Sequence, residues 1–264
     1  MSGKLRKLWA TKNKNDEWWS SFVTSPLAIV ANCVVVEWKW LTPNLITLFS
    51  FIAAVAAAAL IVLGGQVNFY IAAALIHGSH ILDCMDGQMA RYRGVSSRVG
   101  GFFDKVTDQI QVILWFGALG YAAYLQTETV LPVFLAFAGV AFYSLRGYIK
   151  YVVVYIEMSD DNDYLERTML EASEVEKKRV DAAGLEHGVL ANLRWFAGEQ
   201  HKLFHFTEGV FIFMLSAALI FDVMTPMLWV FAISQLVFGI ARCLQRGHHL
   251  CHNRRGQILT ADEK

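Results

Sequence analysis

The sequence predicts an all-α fold, a polytopic membrane bundle of six transmembrane helices with an N-terminal interfacial amphipathic helix. Three observations predict it. Of 264 residues, 55% are hydrophobic and 17% charged, an apolar excess over ordinary soluble domains. The apolar residues gather in uncharged blocks, most of them near the length at which a helix crosses about 30 Å of hydrocarbon. With the N terminus inside, the outer turns at 64–66, 126–128 and Asp222 hold no Lys or Arg, so all 23 basic residues fall on the inner side or at inner helix ends. Retention of cations in the cytoplasm produces that asymmetry. Both termini are therefore expected on the cytoplasmic side, in a bacterial inner membrane.

The first element is the N-terminal segment, 1–41. Its apolar run, 22–36, is interrupted by Pro26 and flanked by Trp18, Trp19, Trp38 and Trp40. Crossing the membrane would carry the basic residues of the N terminus outside, so the run is expected to lie in the inner interface with its tryptophans at headgroup depth. Burial as an extra core segment is the alternative, because Val34, Val35 and Val36 favour strand or core settings. No cleavable signal peptide is visible: the basic N terminus leads into polar residues, without an apolar core.

The six spans follow as the uncharged runs 45–63, 67–82, 109–125, 129–145, 209–221 and 223–241. The second, fourth and fifth need flanking polar residues to complete a crossing, which puts Asp83, Asp86, Arg146, Lys150 and Glu208 at bilayer depth or just inside it. The whole membrane domain is expected over 42–247, with a tail over 248–264. Inside it, the loop 157–204 holds 11 acidic and 6 basic residues, a net charge of −5. Its stretch 163–180 has the composition of a helix, and its acidity predicts a cap standing off anionic lipid. Cys33, Cys84, Cys243 and Cys251 all fall where thiols stay reduced, so no disulfide is expected. The tract "GHHLCH" at 247–252 reads as a solvated tail before it reads as a zinc site.

The chemistry lies in "DCMDGQMARYRGVSSRVGGFFDKVTD", 83–108. Charges at membrane depth cost several kcal/mol each by insertion scales and more on an isolated helix, so four aspartates there call for compensation. Asp83 and Asp86 are spaced i, i+3 and Asp104 and Asp108 i, i+4, so each pair shares one helix face. A short turn between them predicts antiparallel neighbouring helices with both pairs at one depth. Two divalent cations would neutralise four carboxylates, and hard oxygen ligands without His or Cys at that spacing indicate Mg²⁺ or Mn²⁺. Such a site binds phosphate. Gly87, Ala90, Gly100 and Gly101 keep the surroundings small enough for backbone and ligand to approach. The plainer alternative is that the aspartates pair with Arg91, Arg93, Arg98 and Lys105 at the interface.

Asp83, Asp86, Gly87, Ala90, Arg91, Gly100, Asp104 and Asp108 fit the pattern D-x2-D-G-x2-A-R-x8-G-x3-D-x3-D at every fixed position and gap. The chain thereby resembles the CDP-alcohol phosphotransferase (CDP-alcohol phosphatidyltransferase) family. "LTPNLIT", 41–47, looks like the start of that family's first membrane helix, and the resemblance covers about 42–158. It implies transfer of a substituted phosphate from a CDP-alcohol to an acceptor alcohol with release of CMP, in phospholipid biosynthesis. CDP-diacylglycerol is the expected donor, and a CDP-linked headgroup or polyol acting on a lipid or soluble alcohol is the alternative.

Under this resemblance Asp83, Asp86, Asp104 and Asp108 hold two Mg²⁺ or Mn²⁺ ions, and Asp108 serves as general base, metal ligand or both. Gly87, Ala90, Arg91 and Gly100 line the CDP site, with Pro43 and Asn44 closing it. Acceptor binding is expected from Arg146 and Lys150, which share a face at i, i+4, and from Glu208. Arg146 and Lys150 can equally snorkel as anchors, and Glu208 can equally pair with one of them. His77 and His80 are expected to pack as polar residues within the bundle, with a supporting role beside Asp83 as the alternative. The expected partners are the two alcohol substrates, at least one of them a lipid, membrane lipids and a second copy in a homodimer, with no nucleic acid. A membrane prenyltransferase would separate its two aspartate motifs widely along the chain. A cation transporter would place its acids near the midplane.

Overall fold

A chain that must satisfy its backbone without water has helix as its main recourse. A computed structural model of the chain describes residues 3–12, 17–161, 163–178 and 189–261, and among these there is no strand. Ten α-helices succeed one another: α1 (Gly3–Trp9), α2 (Ser25–Val35), α3 (Pro43–Leu63), α4 (Gln66–Arg93), α5 (Arg98–Thr127), α6 (Leu131–Asp160), α7 (Tyr164–Lys178), α8 (Val189–Glu199), α9 (Glu208–Ile220) and α10 (Met224–Ala261). A π-helical turn, Ser20–Thr24, leads into α2, and a 3₁₀ segment, Gln200–His205, precedes α9. The helix α10 continues through most of the expected tail, whose last residues, 262–264, lie outside the described residues.

Local chemistry sets the boundaries that matter for the site. Thr42 caps α3 by accepting from the Leu45 amide at 3.3 Å, with Pro43 in the first turn where its missing N–H costs nothing. Ser97 caps α5 in the same way, its Oγ 3.0 Å from the Gly100 amide. Between them α4 stops at Gly94, whose φ of +67° is open to glycine without steric cost.

The chain divides into two compact units. One comprises Met1–Phe137 with Ala182–Phe231, the other Ala138–Asp181 with Ala232–Lys264. In the first unit α4 packs on α3, α9 and α2, while α5 packs on α3. Small residues allow the close α3–α4 contact: Ser50 and Ser79 each donate a hydroxyl to the other's carbonyl at 2.9 Å. The Trp115 indole donates to the Ala54 carbonyl at 3.0 Å and ties α5 to α3. Both α4 and α5 lean on α3, and their facing ends bring Asp83 within 4.8 Å of Asp104 and Asp108, with the Ser79 hydroxyl of α4 also reaching Gln111 Oε1 of α5 at 3.4 Å.

The N-terminal segment joins α4 through polar groups. Asn32 donates to the Met85 carbonyl at 3.0 Å and to Gln88 at 3.1 Å, and Gln88 donates to the Ser25 carbonyl at 3.1 Å. The opposite face of α2 carries Leu27, Val30 and Val34, which are 49%, 62% and 64% exposed. Ser25 and Asn32 face protein together with the buried Ala28 and Ile29, while the outward face is apolar, the pattern of a helix with one side against lipid. Arg93 closes the α2–α3 connection by donating to the carbonyls of Val36, Leu41 and Trp38 at 2.8, 2.7 and 2.9 Å.

Three helical stretches among the described residues are long and apolar enough to cross a membrane: Pro43–Leu63, Leu131–Asp160 and Met224–Cys251. The helices α4 and α5 have the length, at 28 and 30 residues, but carry the polar residues described below. At 13 residues α9 is short for a crossing.

The acidic loop carries the expected helix and a second one. Its first half forms α7 in the second unit, where Arg167 binds Asp161 at 2.6 Å and holds that carboxyl below the usual range. The expected helical residues Arg179 and Val180 lie outside the described residues. The other half, α8, carries Trp195 and Phe196, whose rings meet Phe22 and Trp18 edge-on at 5.4 and 5.3 Å. Acidic residues crowd the start of the loop, and its end is aromatic enough to pack.

Candidate active site

The ends of α4 and α5 that flank the turn at Gly94 bring three aspartates together. Asp83, Asp104 and Asp108 each offer a carboxylate oxygen, and these lie within 4.8 Å of one another. Lys105 reaches two of them, with Nζ at 3.1 Å from Asp104 Oδ2 and 3.2 Å from Asp108 Oδ2. One ammonium does not balance three carboxylates. Oδ1 of Asp83 and Oδ1 of Asp108 are buried without a hydrogen-bond partner among the described residues. Orphaned carboxylate oxygens in a shielded place are costly, and a hard divalent cation relieves that cost, so the residues fit one. Asp86 stands one turn further along α4, buried, and accepts a hydrogen bond from Thr47 of α3.

Beside Asp86 and Asp104 a cavity of about 470 Å³ opens, and its walls include Thr42, Pro43, Asn44, Thr47, Gly87, Ala90, Arg91, Ser97, Gly100 and Gly101. The volume lies in the range of small-molecule sites. All six residues expected at a nucleotide line it: Pro43, Asn44, Gly87, Ala90, Arg91 and Gly100.

Two glycines there are matters of space. A Cβ on Gly87 would sit 3.1 Å from Arg91 Nη1, and one on Gly100 would sit 3.1 Å from Ser97 Oγ and 3.3 Å from Asn44 Oδ1. The Arg91 guanidinium therefore lies directly over the α4 backbone, with its Nε donating to the Thr11 carbonyl at 2.8 Å. Of the cations proposed as plain partners of the aspartates, Lys105 takes that role. Arg93 spends its donors on backbone carbonyls and Arg98 is exposed.

Past Asp83, away from the cavity, lies a second group. His80 Nδ1 is 3.5 Å from Glu208 Oε1, and His80, Asp83 and Glu208 each have a ligand atom within 4.8 Å of the others. His80 Nε2 lies 2.9 Å from Ser20 Oγ, which in turn donates to Glu17. Glu208 thus pairs with His80, where Arg146 or Lys150 had been the alternative. His77 packs as expected, near the Ala73 carbonyl at 3.0 Å and Ser216 Oγ at 3.1 Å, with Trp19 edge-on at 5.5 Å.

Arg146 and Lys150 belong to the second unit. There Arg146 donates to Gln235 and lies over the Phe238 ring at 5.8 Å, while Lys150 is exposed. Three contributors had not been singled out. Thr47 follows Pro43 by one helical turn, so spacing alone put it on the same face. Glu17 and Ser20 carried no signal, because their partners are remote in sequence.

Residues 40–168 match the family described as CDP-alcohol phosphatidyltransferase. A phosphatidylinositol phosphate synthase from Mycobacterium tuberculosis, solved with CDP-DAG bound, is 20% identical with a TM-score of 0.51, over 86% of this chain and 92% of that one. The same synthase in complex with manganese and citrate gives 20% identity and a TM-score of 0.50, over 86% and 88%. At that identity the likeness is one of fold. No curated protein matches the chain.

Proposed function

We propose that the chain, whose residues 40–168 match the CDP-alcohol phosphatidyltransferase family, is a membrane transferase of that family, moving a phosphatidyl group from CDP-diacylglycerol to an acceptor alcohol and releasing CMP. One observation carries this reading. A nucleotide-sized cavity is lined by Asp86 and Asp104, and Asp83 and Asp108, clustered with Asp104, present buried oxygens without partners among the described residues. The fold-level neighbour with CDP-DAG bound supports the choice of donor.

Asp83, Asp104 and Asp108, with Asp86 beside them, would hold Mg²⁺ or Mn²⁺, two ions in all, and such ions neutralise a diphosphate and stabilise a phosphate leaving group. The protein does the rest. Gly87 and Ala90 leave room for the nucleotide, Arg91 meets its phosphate as a planar fork, and Asn44 and Pro43 close the wall from α3. Lys105 occupies Asp108 Oδ2. Oδ1 is then the oxygen that takes the acceptor's hydroxyl proton. The acceptor oxygen bonds to the phosphorus that bears diacylglycerol, and the bond from that phosphorus to the CMP phosphate breaks, its electron pair leaving with CMP.

The bundle carries six spans in this reading, with both termini and the site on the cytoplasmic side and the chain paired as a homodimer. There the lipid-anchored donor meets a water-borne acceptor, and CMP leaves to water. Purified protein is offered CDP-diacylglycerol, CDP-ethanolamine, CDP-choline and CDP-inositol in turn, with serine, inositol or glycerol 3-phosphate as acceptor. CMP release is scored with Mg²⁺, with Mn²⁺ and after EDTA. Release from CDP-diacylglycerol is expected, and release from none of the four would overturn the reading.

A further inference from the structure

In a displacement at phosphorus the attacking and leaving oxygens stand roughly in line. If CMP departs into the cavity lined by Asp86, Gly87, Ala90 and Asp104, the acceptor approaches from the far side of the aspartate cluster. Glu208 and His80 group with Asp83, and neither lines that cavity. Their exposures differ in a telling way: the Glu208 side chain is 40% exposed and that of His80 only 5%. Glu208 is open to a ligand, and His80 is held behind it.

Hydrogen-bond direction shows what holds His80. Ser20 has one hydroxyl proton and gives it to the Glu17 carboxylate. Its oxygen must therefore accept at the 2.9 Å contact with His80 Nε2, which orients the ring with its Nδ1 edge toward Glu208, where the imidazolium, protonated on both nitrogens, donates to that carboxylate. Gly209, next to Glu208, makes this possible, because a Cβ there would overlap the Glu17 carboxylate. Glu17, Ser20 and Glu208 all lie outside the family-matched residues 40–168. The chain from Glu17 to Glu208 is thus built from the N-terminal segment and α9, around a histidine of the aspartate-bearing helix.

We propose that Glu17, Ser20 and His80 are positioning residues that hold the Glu208 carboxylate as the acceptor for a second donor group of the incoming alcohol, a further hydroxyl or an ammonium, while the attacking hydroxyl faces Asp108. The assignment rests on the transfer reaction proposed above. It makes Glu208 the contact that recognises the acceptor, with no part in binding the donor.

The test uses the full chain in detergent, with CDP-diacylglycerol and the best acceptor among serine, inositol and glycerol 3-phosphate, reading KM for each substrate separately. Glu208→Gln is expected to raise acceptor KM about tenfold, the loss of one charge-assisted hydrogen bond, with donor KM within twofold of wild type. Ser20→Ala is expected to raise acceptor KM several-fold in the same selective way. His80→Asn keeps an amide near the Nδ1 position and is expected to stay closer to wild type than His80→Gln, which keeps only the end facing Ser20. Unchanged acceptor KM in both Glu208→Gln and Ser20→Ala, or equal movement of both KM values, would overturn the proposal while leaving the transferase reading intact. No CMP release from the wild-type chain would overturn both.

Discussion

Lys105 Nζ lies 3.2 Å from Asp108 Oδ2, and the other oxygen of that carboxylate is buried without a partner among the described residues. One ammonium against three carboxylates leaves most of the cluster's charge uncompensated. Adding divalent cations should complete what Lys105 begins, and binding that selects the folded state raises its stability. EDTA-treated protein is therefore expected to melt several degrees higher when Mg²⁺ or Mn²⁺ is restored, together with return of CMP release. Asp83→Asn, Asp86→Asn and Asp104→Asn should each abolish CMP release while the protein stays folded. For Asp83→Asn and Asp104→Asn the metal-dependent rise should shrink as well. Full activity in Asp104→Asn would remove the metal assignment.

Lys105 is itself a competitor for the site. Its side chain is 66% exposed, so the pair is worth at most about 1 kcal/mol after solvent screening. Lys105→Met is expected to tighten Mn²⁺ binding by up to about fivefold in a calorimetric or paramagnetic titration, since ~1 kcal/mol corresponds to roughly that factor. Weaker binding would mean that the ammonium orients the carboxylates, and that it does not substitute for a cation.

What could be read from the sequence follows the range of each interaction. The aspartates and small residues of 83–108 sit within one helical hairpin, so spacing alone told which of them share a face. Thr47 was within reach of the same argument. The packing of both α4 and α5 on α3 was not, because it depends on contacts of Ser50, Ser79 and Trp115 between elements remote in sequence. The chain from Glu17 through Ser20 and His80 to Glu208 spans most of the sequence. Periodicity within one element cannot find it. The acidic loop misled by averaging, since its net charge concealed the aromatic pair Trp195 and Phe196 at its end.

Thr47 tests whether Asp86 needs a fixed orientation. The hydroxyl donates to a buried carboxylate at the inner wall of the cavity, and hydrogen bonds to charged groups contribute about 1.5–3 kcal/mol. Thr47→Val keeps the shape and removes the donor. It is expected to lower kcat/KM for the CDP-alcohol by roughly tenfold to a hundredfold, as that energy range implies, while Thr47→Ser retains most of it. Equal activity in the two variants would show that Asp86 holds its position without α3.

Arg93 is expected to matter for stability. Three backbone carbonyls, Val36, Trp38 and Leu41, depend on its guanidinium, and Lys offers no planar fork to replace it. Arg93→Lys should lose about 1–3 kcal/mol, the cost of leaving such groups unsatisfied, seen as a lower melting temperature with unchanged helix content by circular dichroism. An unshifted melting temperature would mean that the α2–α3 connection is held by other contacts.

Gly87 separates the donor from the acceptor. A methyl group there would press on Arg91 Nη1 at 3.1 Å, and the guanidinium is the far end of a flexible side chain, so it can yield by lifting off the helix. The backbone need not move, and stability should change little. What changes is the height of the cationic plane in the cavity, together with its bond to the Thr11 carbonyl. Gly87→Ala is therefore expected to raise KM for the CDP-alcohol about tenfold, the order set by one misplaced charge-assisted contact, with acceptor KM unchanged. Arg91→Lys should reproduce the defect, since an ammonium cannot meet phosphate as a planar fork. A Gly87→Ala enzyme with wild-type donor KM would show that Arg91 does not need its seat on the α4 backbone to meet the nucleotide.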